Sequence, residues 1–381
     1  MAKLNELELQ SKTIDWLRFP LAIFVIFIHM NPKVDIQSID YLNLNLNSWY
    51  VIIGTLISKV IGLIAVPCFF MFSGYLFFNN NKMKKWNMTI YFAKVKTRLQ
   101  TLVVPYILFN LSAIILSALP KILKADGSIY PFLSKLFENW YRIFWNYTSW
   151  SAGNSNMIGL PLQPNFGPFV LHLWFLRDLI IMVFISPIVY YMVKHTKIWG
   201  LIILGLFYYT KIWVEIPGYS ARLFLTAFFF FSIGAFFSIN RKNIVVSLRK
   251  YQIIWLIISL ITMILNTYFY GTIHSKFFSP VFILSGVISA VNITSYFMEH
   301  GKLQVRETLS KASFFIYCAH GILILGFTYR AFMKILGTNN TLSLLITYFT
   351  VPFVCAGIIL CIYRLMKRFT PRLLSLFTGN R

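Results

Sequence analysis

Two ionisable residues in the first apolar block, Arg18 and His29, are separated by ten residues, Phe19 to Ile28. Eleven helical steps of about 100° make three turns plus about 20°, so both side chains leave one helix face. The rise between them is about 16 Å. A guanidinium is suited to binding phosphate or carboxylate through paired hydrogen bonds. A neutral imidazole is suited to taking a proton from a hydroxyl. Each has a plainer reading: Arg18 as a cation reaching for the interface, His29 as an interfacial ring beside Asn31-Pro32. A second set is His172-Leu-Trp174-Phe-Leu-Arg177-Asp178. Two opposite charges in an apolar run need partners, because desolvation is costly. Adjacent helical residues point about 100° apart, so Arg177 and Asp178 are expected to pair with other helices, either as a staple of the bundle or as part of a site. His320, after Ser313-Phe-Phe-Ile-Tyr317-Cys-Ala, is a third candidate; a lone buried histidine is usually a packing residue.

The elements that must position these groups are membrane helices. Apolar residues make up 58% of the 381-residue chain and charged residues 12%, against about 25% charged in soluble domains. Mean hydropathy is +0.68. Apolar blocks of roughly 20 residues recur, the length that crosses about 30 Å of hydrocarbon. They fall near 14–30, 50–78, 99–119, 169–193, 198–214, 219–238, 251–270, 278–298, 312–334 and 343–366. The expectation is an all-α integral membrane protein, a bundle of about ten transmembrane helices. Residues 1–13 form a short leading segment, 14–366 the membrane domain with a polar loop near 120–168, and 367–381 a tail.

The net charge of +24 orients the chain and requires no nucleic acid. With both termini inside, the inner segments hold 21 basic residues and the outer ones 10, and positive loops stay cytoplasmic. The first block carries Asp15 and Arg18 and lacks a small-residue cleavage site, so it is not a removable leader. The four cysteines lie in apolar runs with no metal-type spacing. The 120–168 loop carries Trp140, Tyr141, Trp145, Tyr147 and Trp150. It reads either as an interfacial helix with its rings at headgroup level or as a lid that stacks a sugar.

Five segments in order resemble the membrane-bound acyltransferase 3 family, over about residues 14–366. Arg18-x10-His29 is similar to its arginine–histidine signature, and Pro67 through Ser73-Gly74-Tyr75 to its P-x-F-F-x-x-S-G-[YF] segment. Lys94-x-Lys96-x-Arg98-Leu, running to Pro105-Tyr106, resembles its basic R-L-x-P-[PY] stretch, with Val104 in place of the first proline. His172-Leu-Trp174-Phe-Leu resembles H-L-W-F-L, and Ser313 through His320 the late serine-to-histidine segment.

The resemblance implies an acyltransferase of the bacterial cytoplasmic (inner) membrane. It would take an acyl group, typically acetyl, from cytoplasmic acyl-coenzyme A and place it on a hydroxyl of a glycan at the outer face. Under it His29 is the base, His320 the reserve, and Arg18 and Arg98 bind the donor's phosphates. Ser73, Tyr75, Tyr106, His172, Trp174, Arg177 and Asp178 support the site, and no metal takes part. The partners implied are lipids, acyl-coenzyme A (acetyl-coenzyme A by family habit) and the glycan. Many relatives carry an added extracytoplasmic hydrolase-like domain. The chain ends about 15 residues after its last apolar block, so a separate partner that accepts the acyl group is an alternative to action alone. The rival class is a transporter or flippase of lipid-linked glycans, which requires broken helices around a midplane site; none is evident in the sequence.

Overall fold

The computed structural model describes residues 5–30, 36–79, 86–124, 129–138, 140–146, 167–214, 219–337 and 340–380. Among these every regular element is helical and no β-strand forms. This is what a lipid-facing backbone requires, since it must satisfy its own N–H and C=O groups.

A helix covers each of the ten apolar blocks, but fewer are long and apolar enough to cross a membrane. Among the described residues six pass: Leu46–Phe78, Met88–Leu123, Ala221–Ile239, Ser275–Glu299, Glu307–Leu336 and Thr341–Phe369. The fourth block is a seventh only if Leu171–Phe184 and Ser186–Thr196, bent by 64°, count as one span. Pro187 explains the bend, because it removes a helical donor and crowds the preceding turn. Ile198–Thr210 and Gln252–Tyr268 have 13 and 17 residues; at 1.5 Å per residue neither reaches 30 Å. Glu6–Ile28 carries Lys12, Asp15 and Arg18 among its apolar residues. The count of about ten therefore rests on block number, not on helix length.

The core is aromatic. Phe70, Phe77, Phe230 and Phe231 are fully buried where Ala65–Phe78 packs on Ala221–Ile239. Gly74 makes that approach possible: a Cβ there would lie 2.1 Å from the Phe231 carbonyl oxygen. Small residues serve membrane bundles in this way, letting backbones meet where no water-driven force presses them together. Glu6–Ile28 packs on Glu307–Ala319 and Ser275–Glu299, which sets the first block beside the ninth.

Two helices are broken near candidate residues. Leu171–Leu173 is a 3₁₀ turn leading into Trp174–Phe184, so His172 sits in a tight turn rather than mid-helix. In the ninth block the α-helix stops at Ala319 and a π-type segment runs His320–Ile324. There Ile322 leaves the helical region and Leu323 has φ +66°, a conformation that costs an L-residue energy and that surrounding structure must hold. Helix breaks are thus present where the sequence showed none.

Candidate functional site

Three histidines from three distant segments meet in the interior. The ring centroids of His172 and His320 are 4.1 Å apart, those of His29 and His320 5.3 Å, and those of His29 and His172 6.2 Å. His29 ends the Glu6–Ile28 helix, His172 occupies the 3₁₀ turn and His320 opens the π-type segment. His320 is fully buried, His172 nearly so, and His29 is half-buried at the edge.

Hydrogen bonds to carbonyls fix the ring states. His320 Nδ1 lies 2.7 Å from the Tyr317 carbonyl oxygen. A carbonyl only accepts, so Nδ1 carries the hydrogen and the neutral ring keeps a lone pair at Nε2. That Nε2 is buried and has no hydrogen-bond partner among the described residues. His172 Nε2 donates to the Cys318 carbonyl at 3.0 Å, leaving its lone pair on Nδ1. Tyr317 closes the arrangement, its hydroxyl donating to the His172 carbonyl. Gly321 makes room for the ring: a Cβ there would lie 2.3 Å from His172 Cε1 and Nδ1. The His320 Nε2 lone pair thus lies in the interior beside the half-buried His29 ring. Among the described residues no group of three or more His, Cys, Asp or Glu side chains is arranged to hold a metal ion.

Arg18 lies near the middle of the same helix, eleven residues before His29. Its Nη1 pairs with Asp15 Oδ1 at 2.9 Å, and both side chains are half-exposed. It lines a cavity of about 1100 Å³ with Arg241 and Lys242, closed on other sides by Tyr75, Trp86 and Tyr190. The wall is tied together by Gln10, whose Nε2 donates to Tyr75 Oη at 2.8 Å and whose Oε1 accepts from the Ile244 backbone at 2.6 Å. Arg98 is half-buried and is not among the lining residues. Residues 80–85, with Lys82, Lys84 and Lys85 of the basic cluster, lie outside the described residues.

Arg177 and Asp178 bond each other, contrary to the expectation from their 100° offset. Arg177 Nε donates to Asp178 Oδ1 at 2.8 Å, a contact that the long arginine side chain can reach despite the offset. Its Nη1 donates to the Trp145 carbonyl at 2.6 Å, and its guanidinium lies 4.6 Å from the Tyr219 ring centre. Tyr106 Oη donates to the Phe144 carbonyl at 2.5 Å. These supporting residues therefore hold the Trp140–Asn146 segment against the bundle. Within it Trp145 stacks on Tyr219, while Trp140 and Tyr141 stay exposed. Tyr147, Trp150 and the rest of the loop to 166 lie outside the described residues. Ser73 is half-buried and Trp174 packs 6.4 Å from Phe70, ring to ring.

Sequence reasoning missed Arg241 and Lys242, which looked like ordinary cytoplasmic loop charge. It also missed Tyr317 as a positioning residue, although its place three residues before His320 was a usable signal.

Membrane-length helices around a buried histidine cluster define a multi-pass membrane protein. The chain belongs to the acyltransferase domain family, matched over residues 11–363. It is similar to the succinoglycan biosynthesis protein ExoH of Rhizobium meliloti (strain 1021), with 22% identity across 97% of this chain and 92% of that protein. No solved structure matches it.

Proposed function

We propose that the chain transfers an acyl group from acyl-coenzyme A to a hydroxyl of a glycan, at the His29–His172–His320 cluster. The observation that carries this reading is the Nε2 of His320, unpartnered among the described residues, beside the half-buried His29. His29 takes the proton as the acceptor oxygen attacks the thioester carbonyl carbon. The C–O bond forms, the C–S bond breaks, and His29 returns the proton to the departing thiolate. Protonated His29 has two N–H donors, and His320 Nε2 is a buried acceptor next to it. Charge separated there is stabilised without solvent reorganisation. Succinoglycan in the name of the similar protein supports a glycan acceptor; acetyl as the group moved rests on family habit.

The donor end of the reading is the Arg18 cavity. A pantetheine arm spans the roughly 16 Å from Arg18 to His29, and Arg241 and Lys242 replace Arg98 as the cations facing the phosphates. Arg18→Lys keeps charge but loses the planar fork. It is expected to weaken coenzyme A binding about tenfold, the equivalent of some 1.4 kcal/mol. Titration calorimetry on purified wild type and variant checks this; equal affinities would leave Arg18 as an interfacial anchor and remove the cavity from the donor path.

The topology we propose keeps both termini and this cavity on the cytoplasmic side of the bacterial inner membrane. The 1–13, 14–366 and 367–381 division follows from it. Single cysteines placed at Ser134 and Ser247 report on it. A membrane-impermeant thiol reagent should label the first in intact cells and the second only after permeabilisation, and the reverse pattern would invert the topology.

A further inference from the structure

Lys59 is a cation toward the histidine end of the bundle for which the mechanism above has no use. It lies in the π-type segment Thr55–Val60, a helix irregularity of the kind that recurs at functional sites. This segment is fastened to the His29 helix: Ser58 Oγ donates to the Phe27 carbonyl at 2.5 Å and lies 2.7 Å from Tyr348 Oη. Phe27 is two residues before His29, so this bond holds the Lys59 segment alongside the end of the helix that carries His29. The side chain is half-buried, with its ammonium 6.0 Å from the centre of the Tyr270 ring. None of the ion pairs among the described residues involves it.

An ammonium kept at membrane depth without a carboxylate is costly, and such groups mark substrate paths. The cost is compounded here, because His29 must become positive during the reaction beside a charge of the same sign. A substrate anion on Lys59 removes both penalties at once. A carboxylate suits this position, being compact and able to accept from a half-buried ammonium.

Resting on the transferase reading above, we propose that Lys59 binds a carboxylate borne by one of the two reacting molecules. The protein is then selective for a carboxylated acyl group, a dicarboxylic half-thioester in place of acetyl, or for an acidic saccharide acceptor.

The test uses the full chain in nanodiscs with labelled succinyl- and butyryl-coenzyme A, which match in chain length and differ in the carboxylate. The acceptor is the host's saccharide fraction, used as isolated and after reduction of its carboxylates to alcohols. If the acyl group carries the carboxylate, wild type prefers succinyl over butyryl. Lys59→Met then lowers that ratio about tenfold or more, while Lys59→Arg largely keeps it. If the acceptor carries it, reduction lowers transfer by wild type, and Lys59→Met loses that sensitivity while Lys59→Arg retains it. Ratios unchanged by Lys59→Met in both arms would overturn the proposal and leave Lys59 a side chain reaching for the interface. So would an equal loss for every substrate pair, which marks a general electrostatic or folding role. Absence of any transfer by well-folded wild type would instead count against the transferase reading itself.

Discussion

His29→Ala is expected to lower acyl transfer by about 10²–10⁴-fold, the range typical of a lost general base, while the protein still accumulates in the membrane. The position makes this separation of effects possible. His29 is half-buried at the C-terminal end of its helix, with a capping backbone N–H that bonds to Ile26 and Phe27 whatever the side chain. His320 differs: it is fully buried, it bonds the Tyr317 carbonyl, and it starts a strained turn. Its replacement by alanine should reduce transfer and stability together. The measurement is label transferred from acyl-coenzyme A to saccharide, normalised to folded protein by size-exclusion elution. More than a tenth of wild-type activity in well-folded His29→Ala would remove His29 as the base. A complete loss in His320→Ala alone would move that role to His320 Nε2.

The second large effect is on stability. Arg177→Met should destabilise the protein by about 3–5 kcal/mol, the usual result of removing one partner from a buried ion pair. Arg177 and Asp178 are 4% and 0% exposed, so the abandoned carboxylate has no route to water. The same substitution removes the bond to the Trp145 carbonyl and the contact with the Tyr219 ring. The Trp140–Asn146 segment should then become more open to protease. Arg177→Met combined with Asp178→Leu should recover much of the loss, because an apolar pair of similar volume carries no desolvation penalty. Thermal unfolding in detergent, followed by intrinsic tryptophan fluorescence, distinguishes the outcomes. If the double variant were as unstable as the single one, the packing of the arginine stem and its ring contacts would outweigh the charge.

The helix breaks bear on the transporter reading that the sequence left open. Breaks at Ile185 and at Ile322–Leu323 are the kind of feature it called for. Membership of the acyltransferase family decides the class nevertheless. In this protein the break at Ile322–Leu323 follows closely after His320, the residue that faces His29 and His172.

Class and membrane character follow from the sequence alone, because they depend on local quantities. Block length against bilayer thickness, the sparsity of charge and the Arg18–His29 spacing need no knowledge of neighbours. The shared helix face of those two residues is likewise an arithmetic consequence of helical pitch. The bend at Ile185 was legible in principle, since Pro187 announces it. By contrast, no residue in Gly321–Ile324 signals a left-handed Leu323; packing imposes it. The meeting of His29, His172 and His320 is equally a tertiary outcome, joining groups 143 and 148 residues apart along the chain. The Arg177–Asp178 bond was misjudged for a related reason. Helical geometry places Cα–Cβ vectors, whereas a flexible arginine stem is directed by the acceptors its buried surroundings offer, Asp178 and the Trp145 carbonyl among them. The sequence determined that this chain is a membrane protein with ionisable groups that need partners. Only the tertiary structure decided which partners those are, because burial leaves each charge and each ring nitrogen the few neighbours that packing brings within reach.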